Sequence, residues 1–234
     1  MSGMTDRTRD ILFASIAEFI ESGRPVTSER LFEAHAFGIK PAMIRWELQS
    51  LADDGFFAQR HPSGGRTPTD KAYRFFVREL IDHHEGRTPV RRTAPFAETF
   101  SQGNARSFIE EIASYLGLLG VGYDASDGEV YESGLPSLVA NLGVEDKRDL
   151  LRVIQDFEAL PERIEARRSW WETEDEWPQV FIGGSPLTTS EHVSVLAGKL
   201  GRGRREFLLV AVGPKRMDYR KSIALFRALE EACE

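Results

Sequence analysis

The sequence predicts an α+β protein with two parts, and three observations carry this prediction. Apolar residues recur at helical spacing in three segments before residue 55, a turn-rich basic segment follows them, and the second half mixes strand-like runs with amphipathic helices. A chain of 234 residues that is 41% hydrophobic and 29% charged is typical of a folded protein with a core. We divide it into a first domain at residues 1–84, a linker at 85–98 and a second domain at 99–234.

The first helices are marked by their end signals. Apolar residues at helical spacing predict a helix over residues 6–22, and Gly23 follows as a helix stop. Thr27 is a favourable N-cap for a second helix. Pro41 suits the first turn of a third helix, which we expect to run to about residue 54.

A wing is predicted after the third helix. Residues 56–60 favour a strand, residues 62–65 a turn and residues 66–67 a return strand. Thr69 is then a good cap for a fourth helix, whose buried stripe begins at Tyr73. Three helices followed by a β-hairpin and an anchoring helix are the pattern of a winged helix-turn-helix, a fold that commonly binds DNA.

The third helix has a core face and an outward face. Ile44, Leu48 and Leu51 share the core face at 100° per residue, so the opposite side would enter the major groove of DNA. The candidate DNA-contacting residues lie on this outward side, in the wing and at the start of the fourth helix: Lys40, Met43, Arg45, Trp46, Gln49, Ser50, Arg60, His61, Ser63, Arg66, Thr69, Lys71 and Arg74.

The net charge of −7 is unevenly distributed. Residues 1–92 hold 14 basic and 13 acidic side chains, and the rest of the chain holds 16 and 24. Between residues 56 and 78, five basic residues face one acid, Asp70. Local positive charge is what releases counterions from DNA phosphates, so a negative total does not exclude DNA binding.

The second half predicts an α+β domain in which helices cover an antiparallel sheet. We expect Pro161 to stop the middle helix, and we expect Tyr219 in the core. The predicted helices lie near residues 108–116, 150–160 and 218–233, and the predicted strands near residues 129–132, 179–182, 191–200 and 205–212, the last two joined by a hairpin at 201–203.

Several function classes lack their sequence signals. The only cysteine, Cys233, excludes an intramolecular disulfide and a multi-cysteine metal cage. His83 and His84 are adjacent, so on a helix they point about 100° apart, and no ligand set accompanies them. No base, nucleophile or metal set converges, so we predict neither an enzyme nor a bound cofactor or metal. No run of the sequence has the apolar length of a membrane span or signal peptide, so we expect a cytoplasmic protein without a membrane partner.

Five short segments of the chain carry a family resemblance. In the first domain, one of them is Gly65-Arg66-Thr67-Pro68-Thr69-Asp70-Lys71-Ala72-Tyr73-Arg74, in the wing and anchor. The others are residues 20–26, Ile44-Arg45 with Leu51 and Gly55-Phe56, residues 132–135 and residues 213–219. Together they resemble the HrcA family of bacterial heat-inducible transcription repressors. The resemblance implies a winged-helix DNA-binding domain, a GAF-like carboxyl-terminal domain, dimerisation and repression of chaperone genes through an inverted-repeat operator. A chaperonin is a further candidate partner.

Two departures from the family pattern limit what the resemblance implies. The chain is shorter between Leu119 and Glu129, where the family carries much of its GAF-like sheet and an inserted dimerisation domain, so we expect a reduced GAF-like domain. Trp46 stands where the family tends to have Asn, and Lys40-Pro41 and Met43 stand where it tends to have small hydroxylated residues. Because Asn can pair with adenine and Trp cannot, the operator sequence does not carry over.

The residues leave alternatives open at two positions. Arg45 either contacts DNA or forms an ion pair with Glu47 or Asp53, and Trp46 either packs on DNA sugars and thymine methyls or is covered by protein. We predict a homodimeric, sequence-specific transcription regulator that represses heat-shock or chaperone genes. The competing hypothesis is a protein-interaction or small-ligand sensing module that has a winged helix but does not bind DNA.

Overall fold

A computed structural model of the protein describes residues 4–59, 64–83, 90–144, 146–174, 176–201 and 206–233. The chain divides into two compact units, Met1–Glu79 (unit 1) and Leu80–Glu234 (unit 2). Within the described ranges, every helix is too short or too polar to cross a membrane.

Unit 1 has the predicted order of three helices, a hairpin and a further helix. The strands pair antiparallel, with Phe57 opposite Pro68 and Ala58 opposite Thr67. The elements are α1 (Asp6–Ser22), α2 (Ser28–Ala34), α3 (Pro41–Asp53), β1 (Phe57–Ala58), β2 (Thr67–Pro68) and α4 (Asp70–Asp82), the last of which continues past the boundary of the unit.

Side chains and backbone conformation at the helix ends explain where the helices of unit 1 begin and end. Thr27 accepts a hydrogen bond from the amide of Arg30 at 3.3 Å, as expected of an N-cap. Gly23 ends α1 in the left-handed conformation, at φ 64°. The predicted core face of α3, formed by Ile44, Leu48 and Leu51, is buried.

A β-bridge attaches the wing to the segment between α1 and α2. The amide of Val26 donates to the carbonyl of Arg66 at 2.8 Å, and the amide of Arg66 donates back at 2.9 Å. A Cβ on Gly65 would lie 2.7 Å from the carbonyl carbon and oxygen of Pro25, so only glycine allows this approach. The hairpin therefore gains backbone pairing beyond its own two residue pairs.

Unit 2 is an α+β domain, as predicted, with one five-stranded antiparallel sheet in the order β4-β3-β7-β6-β5. Its helices are α5 (Val90–Ser101), α6 (Ala105–Leu116), α7 (Leu135–Asn141), α8 (Lys147–Glu158), α9 (Leu160–Ala166), α10 (Arg168–Thr173) and α11 (Tyr219–Cys233). Its strands are β3 (Leu119–Asp124), β4 (Val130–Ser133), β5 (Gln179–Ile182), β6 (Val193–Leu200) and β7 (Phe207–Pro214).

Helices cover both faces of this sheet. On one face, Val195 and Val210 belong to a core cluster with Trp171 of α10. On the other face, the alternating residues include glycines that allow close approach of a helix. A Cβ on Gly198 would lie 2.7 Å from the ring of Phe226 in α11. Alternation of side chains along the strands thus separates two apolar layers.

The predicted linker at 85–98 is only partly a connecting segment. Residues 84–89 lie outside the described residues, but from Val90 the chain forms α5. Phe96 packs edge-on against Tyr115, and Phe100 contacts Phe108 and Phe207. Aromatic packing thus stabilises α5, although Pro95 and the lack of apolar periodicity disfavour a helix in this segment.

Other differences from the predicted elements are local. The middle helix α8 ends at Glu158, just before Pro161, as predicted, but Pro161 itself lies in the first turn of the unpredicted helix α9, where the missing N–H is tolerated. The short helices α7, α9 and α10 were not predicted, because six or seven residues show too little periodicity. The predicted hairpin between β6 and β7 is confirmed by pairing of Leu200 with Phe207, while residues 202–205 lie outside the described residues.

The shortened region between Leu119 and Glu129 leaves the sheet continuous. It contains β3 and a tight turn in which the amide of Asp124 donates to the carbonyl of Glu129 at 3.0 Å. β3 pairs with β4 on one side and with β7 on the other. In this chain, a single strand and a tight turn therefore span the region that is short relative to the family pattern.

Two segments of unit 2 that were predicted to resemble the HrcA family, residues 132–135 and 213–219, meet at Leu118. A Cβ on Gly134, at φ 94°, would lie 2.2 Å from the carbonyl oxygen of Leu118, and a Cβ on Gly213 would lie 2.6 Å from its side chain. Tyr219 is buried, as expected, and its hydroxyl donates to the carbonyl of Lys215 at 2.6 Å. These contacts give both segments a structural role.

A buried carboxylate, that of Asp156 in α8, attaches the helices to the loop before β6. It accepts hydrogen bonds from Nη1 of Arg163 at 2.6 Å, from the amide and hydroxyl of Thr189 at 2.9 and 2.8 Å, and from the amide of Ser190 at 2.6 Å. Burial opposes ionisation, but the hydrogen bonds from Arg163, Thr189 and Ser190 outweigh it and lower the pKa of Asp156.

Replacing Asp156 with Asn should lower the free energy of unfolding of unit 2 by about 3 kcal/mol near neutral pH, because the amides of Thr189 and buried Ser190 and the guanidinium of Arg163 lose an ionised acceptor. Urea unfolding followed by tryptophan fluorescence in a Trp46→Phe background measures this, since the other three tryptophans all lie in unit 2. Glu158→Gln, an exposed change on the same helix, is the matched control.

The same experiment has a defined pH dependence. Because the pKa of Asp156 is lower in the folded than in the unfolded chain, its stabilising effect is complete above about pH 4 and declines as the pH falls through the folded-state pKa. The difference between wild type and Asp156→Asn should therefore shrink in acid. A difference that stays constant or grows on acidification would contradict the assignment.

Candidate nucleic-acid interface

A groove of about 640 Å³ lies in unit 1 between the start of α2, the outward face of α3 and the wing. Three predicted residues of α3 and one of the wing meet there: Arg45, Trp46, Gln49 and Arg66. The remaining lining residues are Val26, Thr27, Ser28, Glu29, Ala42, Gln59, Gly64 and Gly65.

Arg66 is the most buried cation of this groove, at 7% exposure. Its Nη2 donates to Oε1 of Gln49 at 2.7 Å, and its Nε has no acceptor among the described residues. Burial, followed by the nearby positive charge of Arg45, lowers the pKa of the Arg66 guanidinium. The wing thus carries a partly desolvated donor into the groove.

Gln49 is held at both ends of its amide. Its Oε1 accepts from Arg66, and its Nε2 donates to Oδ1 of Asp53 at 2.8 Å. These bonds form a chain from the wing across the outward face of α3. To present its amide to a base, Gln49 would have to break these bonds.

Arg45 forms an ion pair, but with neither of the expected partners. Its Nη2 lies 2.5 Å from Oε1 of Glu29 on α2, and both side chains are more than half exposed. A backbone hydrogen bond and then the hydrogen bond from Arg45 lower the pKa of Glu29. Glu47 instead contacts Arg7 at 3.1 Å, and Asp53 accepts from Gln49. An exposed pair contributes only about 0–1 kcal/mol, so Arg45 is readily released.

Trp46 and Met43 present an apolar surface on α3. Trp46 is 63% exposed and Met43 is 44% exposed. Among the described residues, none covers the indole of Trp46. The alternative in which a described part of this chain buries Trp46 is therefore wrong. An exposed tryptophan on a helix that lines a groove is available to a binding partner.

Thr69 and Lys71 serve the fold. The hydroxyl of Thr69 donates to the carbonyl of Gly55 at 2.8 Å, and the amide of Ala72 donates to that hydroxyl at 3.4 Å. Lys71 donates to the carbonyl of Asp54, and its Nζ lies 4.5 Å from the ring centroid of Phe56. Both residues fix the start of α4 against the end of α3, outside the lining of the groove.

The other predicted residues that the structure describes also lie outside the groove lining. Arg74 is exposed on α4, where its Nη2 is 3.9 Å from Asp70. Lys40 is the exposed N-cap of α3, and Ser50 is half-buried on the same helix. Met43 is also not among the lining residues. Arg60, His61 and Ser63 were predicted to contact DNA and lie outside the described residues.

Sequence analysis missed three residues that shape the groove. Glu29 meets Arg45 only because α2 and α3 pack together, a contact that spacing along one helix cannot indicate. Gln59 donates to the carbonyl of Gly64 at 2.9 Å and closes the wing on itself. Gly65 carried a signal, since adjacent glycines in a basic turn indicate close backbone approach.

No family model matches the chain. A solved crystal structure described only as a hypothetical protein superposes with a TM-score of 0.73, at 16% identity, over 99% of this chain and 98% of that one. At this identity the likeness shows the fold alone.

Curated relatives match a partial stretch of the sequence. The heat-inducible transcription repressor HrcA of Roseiflexus sp. (strain RS-1) is 44% identical over 90 residues, which are 38% of this chain and 24% of that protein. HrcA of Streptomyces albus G is 38% identical over 89 residues, 38% of this chain and 26% of that protein. The chain thus matches about a quarter of the length of these relatives, and over that stretch the predicted resemblance to HrcA-type repressors is confirmed.

Proposed function

We propose that this protein is a sequence-specific DNA-binding transcription repressor of heat-shock or chaperone genes, which acts as a homodimer on an inverted-repeat operator. The observation that carries the proposal is the groove in unit 1, where Arg45 and Arg66 flank the exposed Trp46. The partial similarity to HrcA repressors supports the choice of partner.

In this proposal α3 enters the major groove, and the wing lies along the adjacent backbone. Arg66 lines the groove and binds a phosphate there through its guanidinium. Arg45 leaves Glu29 and binds the DNA backbone at a small cost in free energy, because the ion pair that it gives up is exposed. Arg74 contacts a further phosphate, and Lys40 and Lys71 add long-range attraction.

Unit 2 is proposed as a reduced GAF-like domain that carries the dimer contact. The five-stranded antiparallel sheet with helices on both faces supports this assignment. A two-fold dimer places two copies of α3 on paired half-sites, which is what an inverted repeat requires. Release on heating would follow if unit 2 loses its fold before unit 1. A chaperonin remains a candidate partner of this unit.

One observation favours the competing hypothesis of a protein-interaction module. Phe32 on α2 is 48% exposed, and with Trp46 and Met43 it gives unit 1 several exposed apolar side chains. A protein partner could cover such a surface. Salt dependence separates the two functions, since duplex binding releases counterions and apolar association does not.

The full-length chain should bind a duplex chosen by selection from a random pool, with an affinity that falls steeply as salt rises. Arg74→Ala should weaken binding and reduce the slope of log affinity against log salt by about 1, because one phosphate contact is lost. Fluorescence anisotropy at several salt concentrations measures this. Arg152→Ala, which removes an equally exposed arginine from α8 in unit 2, is the control. Absence of duplex binding at low salt would overturn the proposed function.

Arg66→Ala should affect both folding and binding, since Arg66 is buried and bonded to Gln49. We expect unit 1 to lose about 1–3 kcal/mol of stability, whereas Arg74→Ala should change it by less than about 0.5 kcal/mol. Hydrogen–deuterium exchange of peptides from α3 reports this difference. Unchanged exchange in Arg66→Ala, together with lost duplex binding, would mean that Arg66 is only a DNA contact.

A further inference from the structure

We infer that Trp46 is the main specificity-determining residue of α3, and that it recognises the 5-methyl group of thymine in the major groove. The inference rests on the proposed DNA-binding function and names the chemistry that the protein recognises there. Its basis is a difference among the side chains on the outward face of α3: the polar ones already have partners, whereas the apolar ones are exposed.

The polar side chain best suited to pair with a base is already occupied. Gln49 is bonded to Arg66 on one side and to Asp53 on the other. An amide reads adenine by donating and accepting together, so both bonds would have to break. The bond to Asp53 is exposed, but breaking the bond to Arg66 would leave a buried guanidinium without that acceptor, which is costly.

Arg45 is available, but its position favours phosphate. It lies on the side of α3 that faces α2, where Glu29 holds it. When Arg45 leaves Glu29, it would contact the DNA phosphates that pass the start of α2. It would therefore contribute to affinity more than to sequence discrimination. The position of Arg66 is likewise fixed, by the bond of its side chain to Gln49 and by the pairing of its backbone with Val26. It therefore cannot turn freely towards a base.

The apolar residues of α3 remain free to meet the bases. Trp46 lies one helical turn from Ala42 and from Met43, so the three form a continuous apolar strip on the exposed side. Among the described residues, none accepts a hydrogen bond from the indole N–H. The thymine methyl is the one apolar group that unmodified base pairs present in the major groove. An apolar strip on the helix that enters that groove therefore matches thymine.

The test replaces thymine with uracil, which keeps the hydrogen-bonding edge and removes only the methyl group. Duplexes selected with the full-length chain are remade with deoxyuridine at one thymine position at a time, and affinity is measured by fluorescence anisotropy. We expect affinity to fall about fourfold at one or two positions, the effect of one buried methyl group.

The variants assign this effect to a side chain. Trp46→Ala should bind the thymine and uracil duplexes equally, whereas Trp46→Phe should keep part of the difference. Arg45→Ala should bind both duplexes more weakly and keep their ratio. The salt slope of Trp46→Ala should equal that of wild type, because the change removes no charge.

Three outcomes overturn the inference while the proposed function stands: equal affinity for thymine and uracil at every position, a uracil effect that persists in Trp46→Ala, or a base preference lost in Gln49→Ala and kept in Trp46→Ala. Failure of the proposed function looks different. In that case no duplex is selected, and no salt-dependent binding is measured for wild type.

Discussion

The backbone bridge between Val26 and Arg66 is the interaction on which the geometry of unit 1 depends. A hairpin with two residue pairs is marginal alone, and this bridge gives the wing a third chain segment to pair with. Gly65 makes the approach possible, since any side chain there would collide with Pro25. Because the bridge fixes the backbone of Arg66, it also fixes the guanidinium that reaches Gln49 on α3. Wing and helix are thus joined by backbone and side chain at the same residue.

This arrangement divides the polar residues of the groove by task. Arg66, Gln49 and Asp53 form a bonded chain that holds the outward face of α3 in one conformation. Burying a guanidinium costs free energy, so the chain is stable only while each member keeps its partner. The exposed pair of Arg45 and Glu29 is different, because water competes with it and little is lost when it opens. The bonded chain that contains the buried Arg66 provides shape, and the pair of Arg45 and Glu29, in which neither side chain is buried, provides adjustable charge.

Much of unit 1 could be predicted because its signals are local. Thr27 and Gly23 mark helix ends, and the period of Ile44, Leu48 and Leu51 correctly separates the faces of α3. The contacts inside the groove could not be predicted, because the partner of Arg45 depends on how two helices cross. In unit 2, apolar runs indicated β5, β6 and β7, whereas the central strand β3 was not predicted. The helix α5 was also missed, because it is stabilised by aromatic contacts to residues far from it in sequence.

Unit 2 shows how a chain can be short and still complete its sheet. The segments around Gly134 and Gly213 pack on the same residue, Leu118, which directly precedes β3. These contacts hold the ends of β4 and β7 on either side of β3, so a tight turn after Asp124 is enough to connect the strands. The segments around Gly134 and Gly213 therefore maintain the fold of unit 2, whereas Trp46 is exposed in unit 1. Buried contacts thus hold the structure, and the exposed face of α3 is the surface where a partner would be distinguished.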